Sequence, residues 1–381
     1  MTIRKIALGL LISGVCLYFV LRGVDWGQVW QHLSEVDPTL FLLSMLLMLA
    51  AYFLMTWRWQ RLLDPLEIPG TGGSPQAGSR SIRQHVSLTG LYGKMMTGYF
   101  FNAFFPARGG DLVRAYLLGR KTGLRKTTIL ATIVIEKAFD GMALLVMLLV
   151  SLVLLPSTTD SGAVGFAPDL LAWVAGLGLV AAFAGMLFFY RYNDRLALWV
   201  GRLPAPIPVL ERVRKLAVRL IETFAGGMHV FKSPRPLISA ALISLLVWVV
   251  VALMFAAALQ SFQTPFPPEM VGPVGLLFMT AIVNLGLLVP ALPGNLGTYE
   301  ALCVGAMAFF KVDKELAVAF ALIFHVGQLV TTLIVGLVAF WAQNLSLSEM
   351  RPVEKAAEEE AERSLEQIEL EAEASSEAAH V

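Results

Sequence analysis

Charged side chains beside a Pro/Gly break in an apolar stretch are the residues of this sequence with the clearest chemical potential. Arg108 follows Pro106, and Asp111 and Arg114 follow Gly110. Arginine makes bidentate contacts with phosphate. The free N–H groups of a helix that begins near Asp111 also favour an anion. This segment therefore predicts a contact with a phosphate group.

Three further charges lie inside the long apolar segment that follows. Glu136 and Asp140 are four residues apart and would share one face of a helix, with Lys137 between them in sequence. Charges inside a membrane span are costly and are candidates for function. Two interpretations stay open. The carboxylates could balance arginines that bind a substrate, or Glu136 or Asp140 could form a structural ion pair with Arg114 or Arg108.

A second Pro/Gly break lies towards the end of the apolar body. Its residues are Pro290, Pro293, Gly294, Asn295 and Gly297, followed by Glu300. The apolar segment beyond it carries His325 and Gln328. His325 could relay protons or could be a hydrogen-bonded structural histidine, and both interpretations stay open.

The two breaks have the same internal spacing, which predicts an internal repeat. Pro106 to Gly110 matches Pro290 to Gly294, and each break precedes a short apolar helix and a long span. The predicted copies cover about 86–155 and about 271–343. In the first copy, Asn102 precedes the Pro/Gly break. Inverted repeats with interrupted helices build the midplane binding sites of many transporters. Irregular backbone at that depth needs protein or a water-filled cavity beside it.

The composition of the 381-residue chain is that of a polytopic membrane protein. Apolar residues make up 57% and charged residues 15%, whereas soluble domains have about 45–50% apolar and about 25% charged residues. The mean hydropathy is +0.69. Two cysteines exclude a disulfide scaffold, and a formal charge of +1 argues against nucleic-acid binding. The charge is uneven, since 349–381 carries −8 and 1–348 carries +9.

The elements that position these residues are predicted to be membrane helices. About 20 apolar residues cross a bilayer, and six segments qualify: 6–21, 40–57, 129–155, 170–190, 237–259 and 316–341. The broken stretches 86–118 and 271–310 are predicted to be re-entrant hairpins that enter from opposite faces.

Basic residues predict the orientation, because they collect in cytoplasmic loops. Segments 58–85, 106–127 and 191–235 are basic, which favours cytoplasmic termini. The expected architecture is all-α, with a membrane domain at 1–348. Residues 349–381 are expected to form an acidic cytoplasmic tail, disordered or loosely helical, with a cytoplasmic partner left open.

Two signatures resemble the lysylphosphatidylglycerol synthase transmembrane-region family, over about residues 5–343. The first is Gly98-x-x-x-Asn102-x-x-x-Pro106-x-Arg108-x-Gly110-Asp111-x-x-Arg114-Ala115 with Glu136-Lys137-x-x-Asp140; the second is Pro290-x-x-Pro293-Gly294-x-x-Gly297-x-x-Glu300. That family includes the flippase half of the multiple peptide resistance factor. Asp111 departs from the family, which usually has Glu there.

The resemblance implies an inner (plasma) membrane protein that moves a phospholipid or lipid-linked headgroup between leaflets. It implies substrate-binding roles for the charged residues Arg108, Arg114, Glu136, Asp140 and Glu300. No soluble aminoacyl-transferase domain follows residue 343, so lysyl transfer by this chain alone is not expected.

Three functions are weighed: a flippase, a membrane-embedded glycosyl- or phospho-lipid transferase, and a scaffold that recruits partners through the acidic tail. No catalytic residue, cofactor or metal site is predicted, because the five histidines do not cluster and no Walker, dinucleotide or zinc motif occurs. A homo-oligomer is left open.

Overall fold

The computed structural model describes residues 13–68, 80–103, 109–155, 234–287 and 293–345, with short helical pieces between 176 and 214. Across these ranges the chain is helical apart from one short antiparallel pair, β1 (Glu67–Ile68) and β2 (Arg80–Ser81). The predicted all-α polytopic fold is confirmed. The tail at 349–381 lies outside the described residues.

Twelve helices are labelled here in chain order within the five longer ranges. They are α1 (13–21), α2 (Trp26–Ser34), α3 (Pro38–Leu63), α4 (Ile82–His85), α5 (Leu88–Asn102), α6 (Gly110–Thr122), α7 (Lys126–Leu154), α8 (Pro234–Gln260), α9 (Pro268–Val271), α10 (Pro273–Gly286), α11 (Thr298–Phe309) and α12 (Lys314–Ala342). A 3₁₀ turn, Pro293–Asn295, lies between α10 and α11.

Four of the described helices, α3, α7, α8 and α12, are long and apolar enough to cross a membrane. They correspond to the predicted spans 40–57, 129–155, 237–259 and 316–341. The predicted span 170–190 and the first part of 6–21 fall largely outside the described residues.

The end of α3 differs from the sequence prediction. The basic segment 58–85 predicts that Arg58 lies in a cytoplasmic loop, but α3 continues to Leu63 and the Arg58 side chain is fully buried. The physical reason is that Arg58 has buried carboxylate partners on α7, so the helix does not need to end at its first charge.

Aspartates cap the free N–H groups at the starts of α2 and α3. Asp37 Oδ1 accepts hydrogen bonds from the N–H groups of Thr39 and Leu40, at 2.7 and 3.1 Å, and Pro38 occupies the first turn of α3. Asp25 caps α2 in the same way, and the hydrogen bond from Gly27 N–H lowers the pKa of this exposed carboxyl group.

The first broken stretch forms a helical hairpin of α5 and α6. Gly98 on α5 lies directly against Gly110 at the start of α6, and a Cβ on Gly110 would overlap the carbonyl oxygen of Gly98. Asn102 Oδ1 accepts a hydrogen bond from Gly110 N–H at 2.8 Å. Glycine is therefore required where the two backbones meet. The predicted site residues Pro106 and Arg108 lie outside the described residues.

The second broken stretch forms a corresponding hairpin of α10 and α11. Gly286 faces Leu302, and the rings of Phe278 and Phe309 stack with their centroids 4.7 Å apart. The described part of the break has three residues with positive φ, namely Gly294 (69°), Asn295 (56°) and Gly297 (84°). Its first proline, Pro290, lies outside the described residues.

The packing of the helices follows a reciprocal pattern. The first hairpin places α5 against α12, the long helix that follows the second hairpin, and α10 of the second hairpin packs against α7. In the same way α3 packs against α5 and α8 packs against α10.

The helices α3 and α8 form a further contact between the two halves of the molecule, α3–α7 and α8–α12, and they are antiparallel. Asp37 at the start of α3 donates its N–H to Ser261 O, just beyond the end of α8. Arg58 near the other end of α3 reaches Ser244 in the first part of α8. Opposite directions of two corresponding helices are the geometry expected for an inverted repeat.

Candidate functional site

A cavity of about 450 Å³ lies between the two halves of the molecule and touches both hairpins. Its apolar lining comes mainly from α3 and α8, with Met48, Met55, Trp248 and Phe255 among the residues. Its polar lining comes mainly from the two hairpins, α7 and α12. Its residues are Tyr52, Tyr99, Asn102, Asp111, Lys137, Asp140, Asn284, Asn295, Tyr299, His325, Gln328 and Thr332. A cavity of this size and mixed lining is typical of a small-molecule or headgroup site.

Arg58 and Asp140 form a buried bidentate ion pair at the edge of this cavity. Arg58 Nη1 donates to Asp140 Oδ1 at 2.5 Å, and Nη2 donates to Oδ2 at 3.0 Å. Ser244 Oγ accepts a further hydrogen bond from Arg58 Nη1 at 2.8 Å. Asp140 lines the cavity while Arg58 lies behind it, so the carboxylate is held in place by a cation that the cavity does not contact.

Arg114 and Glu136 form a second buried pair next to the first. The two guanidinium nitrogens lie 3.3 and 3.4 Å from the carboxylate oxygens. The Arg114 guanidinium carbon stands 4.4 Å from the centre of the Trp59 ring, a cation–π distance. The Arg114 side chain is only 1% exposed, and it faces Glu136 and Trp59 rather than the cavity.

Six charged residues join into one network, called the charge cluster below: Arg58, Arg114, Lys137, Asp111, Glu136 and Asp140. Glu136 Oε1 connects the two pairs, since it also lies 3.6 Å from Arg58 Nη2. Three cations and three carboxylates balance, so the charge cluster carries no net charge. Balance of this kind allows ionised groups to persist in a low-dielectric interior.

Lys137 is the most exposed cation of the charge cluster. Its Nζ lies 3.8 Å from Glu136 Oε1, its side chain is 30% exposed, and it lines the cavity. The Lys137 amine can therefore contact an anion in the cavity, and no fully buried ion pair has to break first.

The second break contains a short chain of hydrogen bonds around His325. Glu300 Oε1 lies 2.7 Å from His325 Nδ1, and Glu300 Oε2 accepts from Gly297 N–H at 2.7 Å. His325 Nε2 lies 2.9 Å from the carbonyl oxygen of Gly294. We call this arrangement the Glu300–His325 clamp. Tyr299 stacks on the imidazole with centroids 4.3 Å apart.

The two halves share one further relationship. In each half, the second helix of the hairpin is joined to the following long helix by a buried pair of ionisable residues. Arg114 on α6 meets Glu136 on α7, and Glu300 on α11 meets His325 on α12. The acidic and basic partners are exchanged between the two copies. This agreement supports the predicted repeat more directly than the Pro/Gly spacing does.

The structure brings most of the predicted site residues to the cavity or directly behind it. Those on the lining are Asn102, Asp111, Lys137, Asp140, Pro293, Gly294, Asn295, His325 and Gln328. Those behind the lining are Gly110, Arg114, Glu136, Gly297 and Glu300. The positions of Pro106, Arg108 and Pro290 are not described.

Three residues next to the predicted site were not expected there from the sequence: Arg58, Trp59 and Ser244. The expected pair of Glu136 with Arg114 is present, but Asp140 pairs with Arg58, a partner that was not considered. The available signal was the triplet Trp57-Arg58-Trp59, in which Arg58 is the first charged residue after the uncharged run 39–57. In the described ranges, no group of three His, Cys, Asp or Glu side chains is close enough to hold a metal ion.

Curated relatives match along nearly the whole chain. The glycosyltransferase AglD of Haloferax volcanii is 26% identical over 375 residues, which cover 93% of this chain and 56% of that protein. Two proteins named UPF0104 membrane protein, from Methanothermobacter thermautotrophicus, are 21% and 23% identical, and each is covered to 92% of its length. The chain thus spans little more than half of the glycosyltransferase, but almost all of the other two.

The family model described as the lysylphosphatidylglycerol synthase TM region matches residues 6–336. This range contains both hairpins, the charge cluster, the Glu300–His325 clamp and the cavity. The chain is therefore a member of the lysylphosphatidylglycerol synthase transmembrane-region family.

Proposed function

We propose that this protein moves a phospholipid or a lipid-linked headgroup between the two leaflets of its membrane. One observation carries the proposal: the cavity of about 450 Å³ touches both hairpins and has a lining of both polar and apolar side chains. A lipid combines the same two chemistries, with a polar headgroup that must be shielded from hydrocarbon and acyl chains that need no shielding. The headgroup would contact the polar lining residues and the acyl chains would stay with apolar surface.

The residues proposed to act on the substrate fall into two groups, those that line the cavity and those that lie behind the lining. Lys137 and Asp140 line it and would touch the headgroup directly. Arg114 and Glu136 lie behind them as a pair, so Arg114 would reach a phosphate only if the phosphate replaced Glu136 as its partner. Glu300 would act through His325, which lines the cavity. A role for Arg108 stays a prediction from the sequence.

Alternating access would come from one repeat moving against the other. The interfaces that would slide are α5 against α12 and α10 against α7, which join the two halves reciprocally. Phe100 on α5 lies against Gly336 on α12, where a Cβ would clash with it. A small residue at this contact permits the close approach on which such sliding depends.

We also propose the setting in which this activity takes place. The protein would lie in the inner (plasma) membrane, with both termini in the cytoplasm, as the basic loops predict. A homo-oligomer and a cytoplasmic partner for the acidic tail stay predictions.

The test is a leaflet assay in proteoliposomes that contain fluorescent phospholipids or labelled glycolipids. Purified wild type should increase the rate at which label reaches the opposite leaflet above the rate in protein-free vesicles. Lys137→Met should lower that rate, and Lys121→Met, which removes an exposed lysine at the end of α6, should not. Equal rates in wild-type and protein-free vesicles, for every lipid class offered, would refute the proposal.

A second candidate is a membrane-embedded lipid transferase, because one relative is named a glycosyltransferase. In that case the cavity would hold a lipid acceptor while a sugar or phosphate is transferred to it. The discriminating measurement is formation of a new lipid from a radiolabelled sugar donor by the purified chain. Product without leaflet movement would favour the transferase, and leaflet movement without product would favour transport.

A further inference from the structure

The Glu300–His325 clamp holds both ends of the left-handed part of the second break. One carboxylate oxygen accepts the N–H of Gly297, and the imidazole Nε2 contacts the carbonyl of Gly294. Both glycines have positive φ, at 84° and 69°. The side-chain pair thus bridges the two backbone positions that give the break its shape, and loss of the pair would free that backbone.

The hydrogen-bond partners fix the number of protons that the clamp contains. A carbonyl oxygen can only accept, so His325 Nε2 must carry a hydrogen that it donates to Gly294. The opposite nitrogen, Nδ1, faces Glu300 Oε1 at 2.7 Å. One proton must lie between these two atoms, and it belongs either to the imidazole or to the carboxyl group. The pair has zero net charge in both cases.

A different proton count weakens the clamp. Removal of the one proton would place the Nδ1 lone pair against a carboxylate, and two buried acceptors at hydrogen-bond distance are strongly unfavourable. A second proton would place an O–H donor against the Nδ1–H group, or would sit on Oε2, the atom that accepts from Gly297 N–H. In both positions it leaves a net positive charge on a buried pair, which is costly. The clamp is therefore most stable at one proton count.

The cavity gives a proton a route to the clamp. His325 and Gly294 line the cavity and Glu300 does not, although both side chains of the pair are buried, at 4% and 6% exposure. Of the described titratable side chains, Tyr299 stacks on the imidazole and Cys303 lies beside Tyr299 on α11. Among the described residues, the carboxylates and amines that line the cavity are Asp111, Lys137 and Asp140, and all three belong to the charge cluster.

We infer that the Glu300–His325 clamp is a proton-binding site, and that gain or loss of its proton opens the second break. The movement of lipid would then be coupled to the movement of protons across the membrane. The coupling rests on the proposed function, but the proton-binding site does not. It follows from the hydrogen-bond partners of one imidazole and one carboxyl group.

The decisive variant is Glu300→Gln. Its amide oxygen can accept from Gly297 N–H while its NH₂ group donates to Nδ1 of a neutral His325, so all hydrogen bonds of the clamp are kept without a movable proton. Glu269→Gln is the matched control, because Glu269 is an exposed carboxylate outside the clamp. The variant should fold, and its thermal stability in detergent checks this.

Leaflet assays of the full chain under an imposed pH gradient test the coupling. With one proton moved per lipid, a gradient of one pH unit should change the wild-type ratio of forward to backward movement by up to about tenfold. Glu269→Gln should respond like wild type, and Glu300→Gln should not respond. A wild-type ratio that ignores the gradient, or a response that survives in Glu300→Gln, would overturn the coupling.

Nitrogen NMR of the full chain with labelled histidines tests the site itself, with or without transport. Signals of His325, assigned by their loss in His325→Gln, should change with pH in wild type. In Glu300→Gln they should remain those of a neutral Nε2–H imidazole over a wider pH range. Identical pH profiles in the two proteins would overturn the proton-binding site. A pH-dependent wild-type signal without lipid movement would keep the site and refute only the proposed function.

Discussion

Arg58 on α3 holds Asp140 on α7 through two parallel hydrogen bonds, of 2.5 and 3.0 Å, and the Arg58 side chain is fully buried. This pair joins two helices through residues that are 82 positions apart in sequence. It also presents one face of Asp140 to the cavity. The same contact therefore supports the fold and positions a candidate site residue.

Removal of Arg58 should destabilise the protein strongly. Arg58→Met would leave Asp140 as a buried carboxylate without its bidentate partner, a change that costs about 3–5 kcal/mol in comparable buried pairs. The thermal unfolding midpoint in detergent should fall well below that of wild type. Arg125→Met, which removes an exposed cation at the start of α7, is the matched control and should have little effect.

The double variant Arg58→Met/Asp140→Leu separates the stability lost through an uncompensated buried charge from the stability lost through packing. Because both charges are then removed, it should recover much of the stability that Arg58→Met loses. A double variant that is as unstable as the two single variants added together would show that packing, not the uncompensated charge, dominates.

The Arg114–Glu136 pair should be measurable as a coupling. Arg114→Met and Glu136→Met, alone and together, form a double-mutant cycle, and residues in direct contact give couplings of about 0.5–3 kcal/mol. Glu136 also contacts Arg58 and Lys137, so its single variant should be the more damaging of the two. Glu269→Gln serves as the exposed control, and a coupling of zero would contradict the geometry.

Gly110 should not tolerate a side chain. In Gly110→Ala the new Cβ would meet the backbone of Gly98, which cannot move away as a flexible side chain can. Overpacking of this kind costs about 1–3 kcal/mol. Gly305→Ala is the control, since Gly305 is an exposed helical glycine with open space around it. That control should be neutral or more stable than wild type, because alanine favours a helix.

Lys137→Met should reduce substrate binding without unfolding the protein. A charge-assisted hydrogen bond from Lys137 to an anionic headgroup is worth about 1.5–3 kcal/mol, so affinity should fall about 10-fold to 100-fold. The measurement is lipid binding to the purified protein, compared with the exposed-site variant Lys121→Met. Unchanged affinity for every anionic lipid that wild type binds would contradict a direct contact.

Much of this organisation could be predicted from the sequence. Apolar segments of sufficient length indicated α3, α7, α8 and α12, and the Pro/Gly breaks indicated the two hairpins. Spacing along one helix placed Glu136 and Asp140 on α7. These features are local, because they depend on hydrophobicity and on the backbone preferences of Pro and Gly.

Contacts between distant segments could not be predicted in the same way. The partner of Asp140 depends on how α3 packs against α7, and no local pattern gives that packing. Charge alone suggested that a helix ends before Arg58, but a cation that is paired in the interior can continue it. The hydrogen bond from Gly297 N–H to Glu300 is local, yet that from His325 to Gly294 spans 31 residues and depends on the fold.

The balance of the charge cluster has an electrical consequence. Moving one elementary charge across a membrane potential of 100 mV involves about 2.3 kcal/mol. With all six groups ionised, the three cations and three carboxylates sum to zero charge. Moving them together across the membrane potential would therefore involve almost no electrical work. A conformational change that carries the charge cluster through the membrane field would thus be nearly independent of voltage. Any current during lipid movement would report the charge of the headgroup and of its accompanying ions.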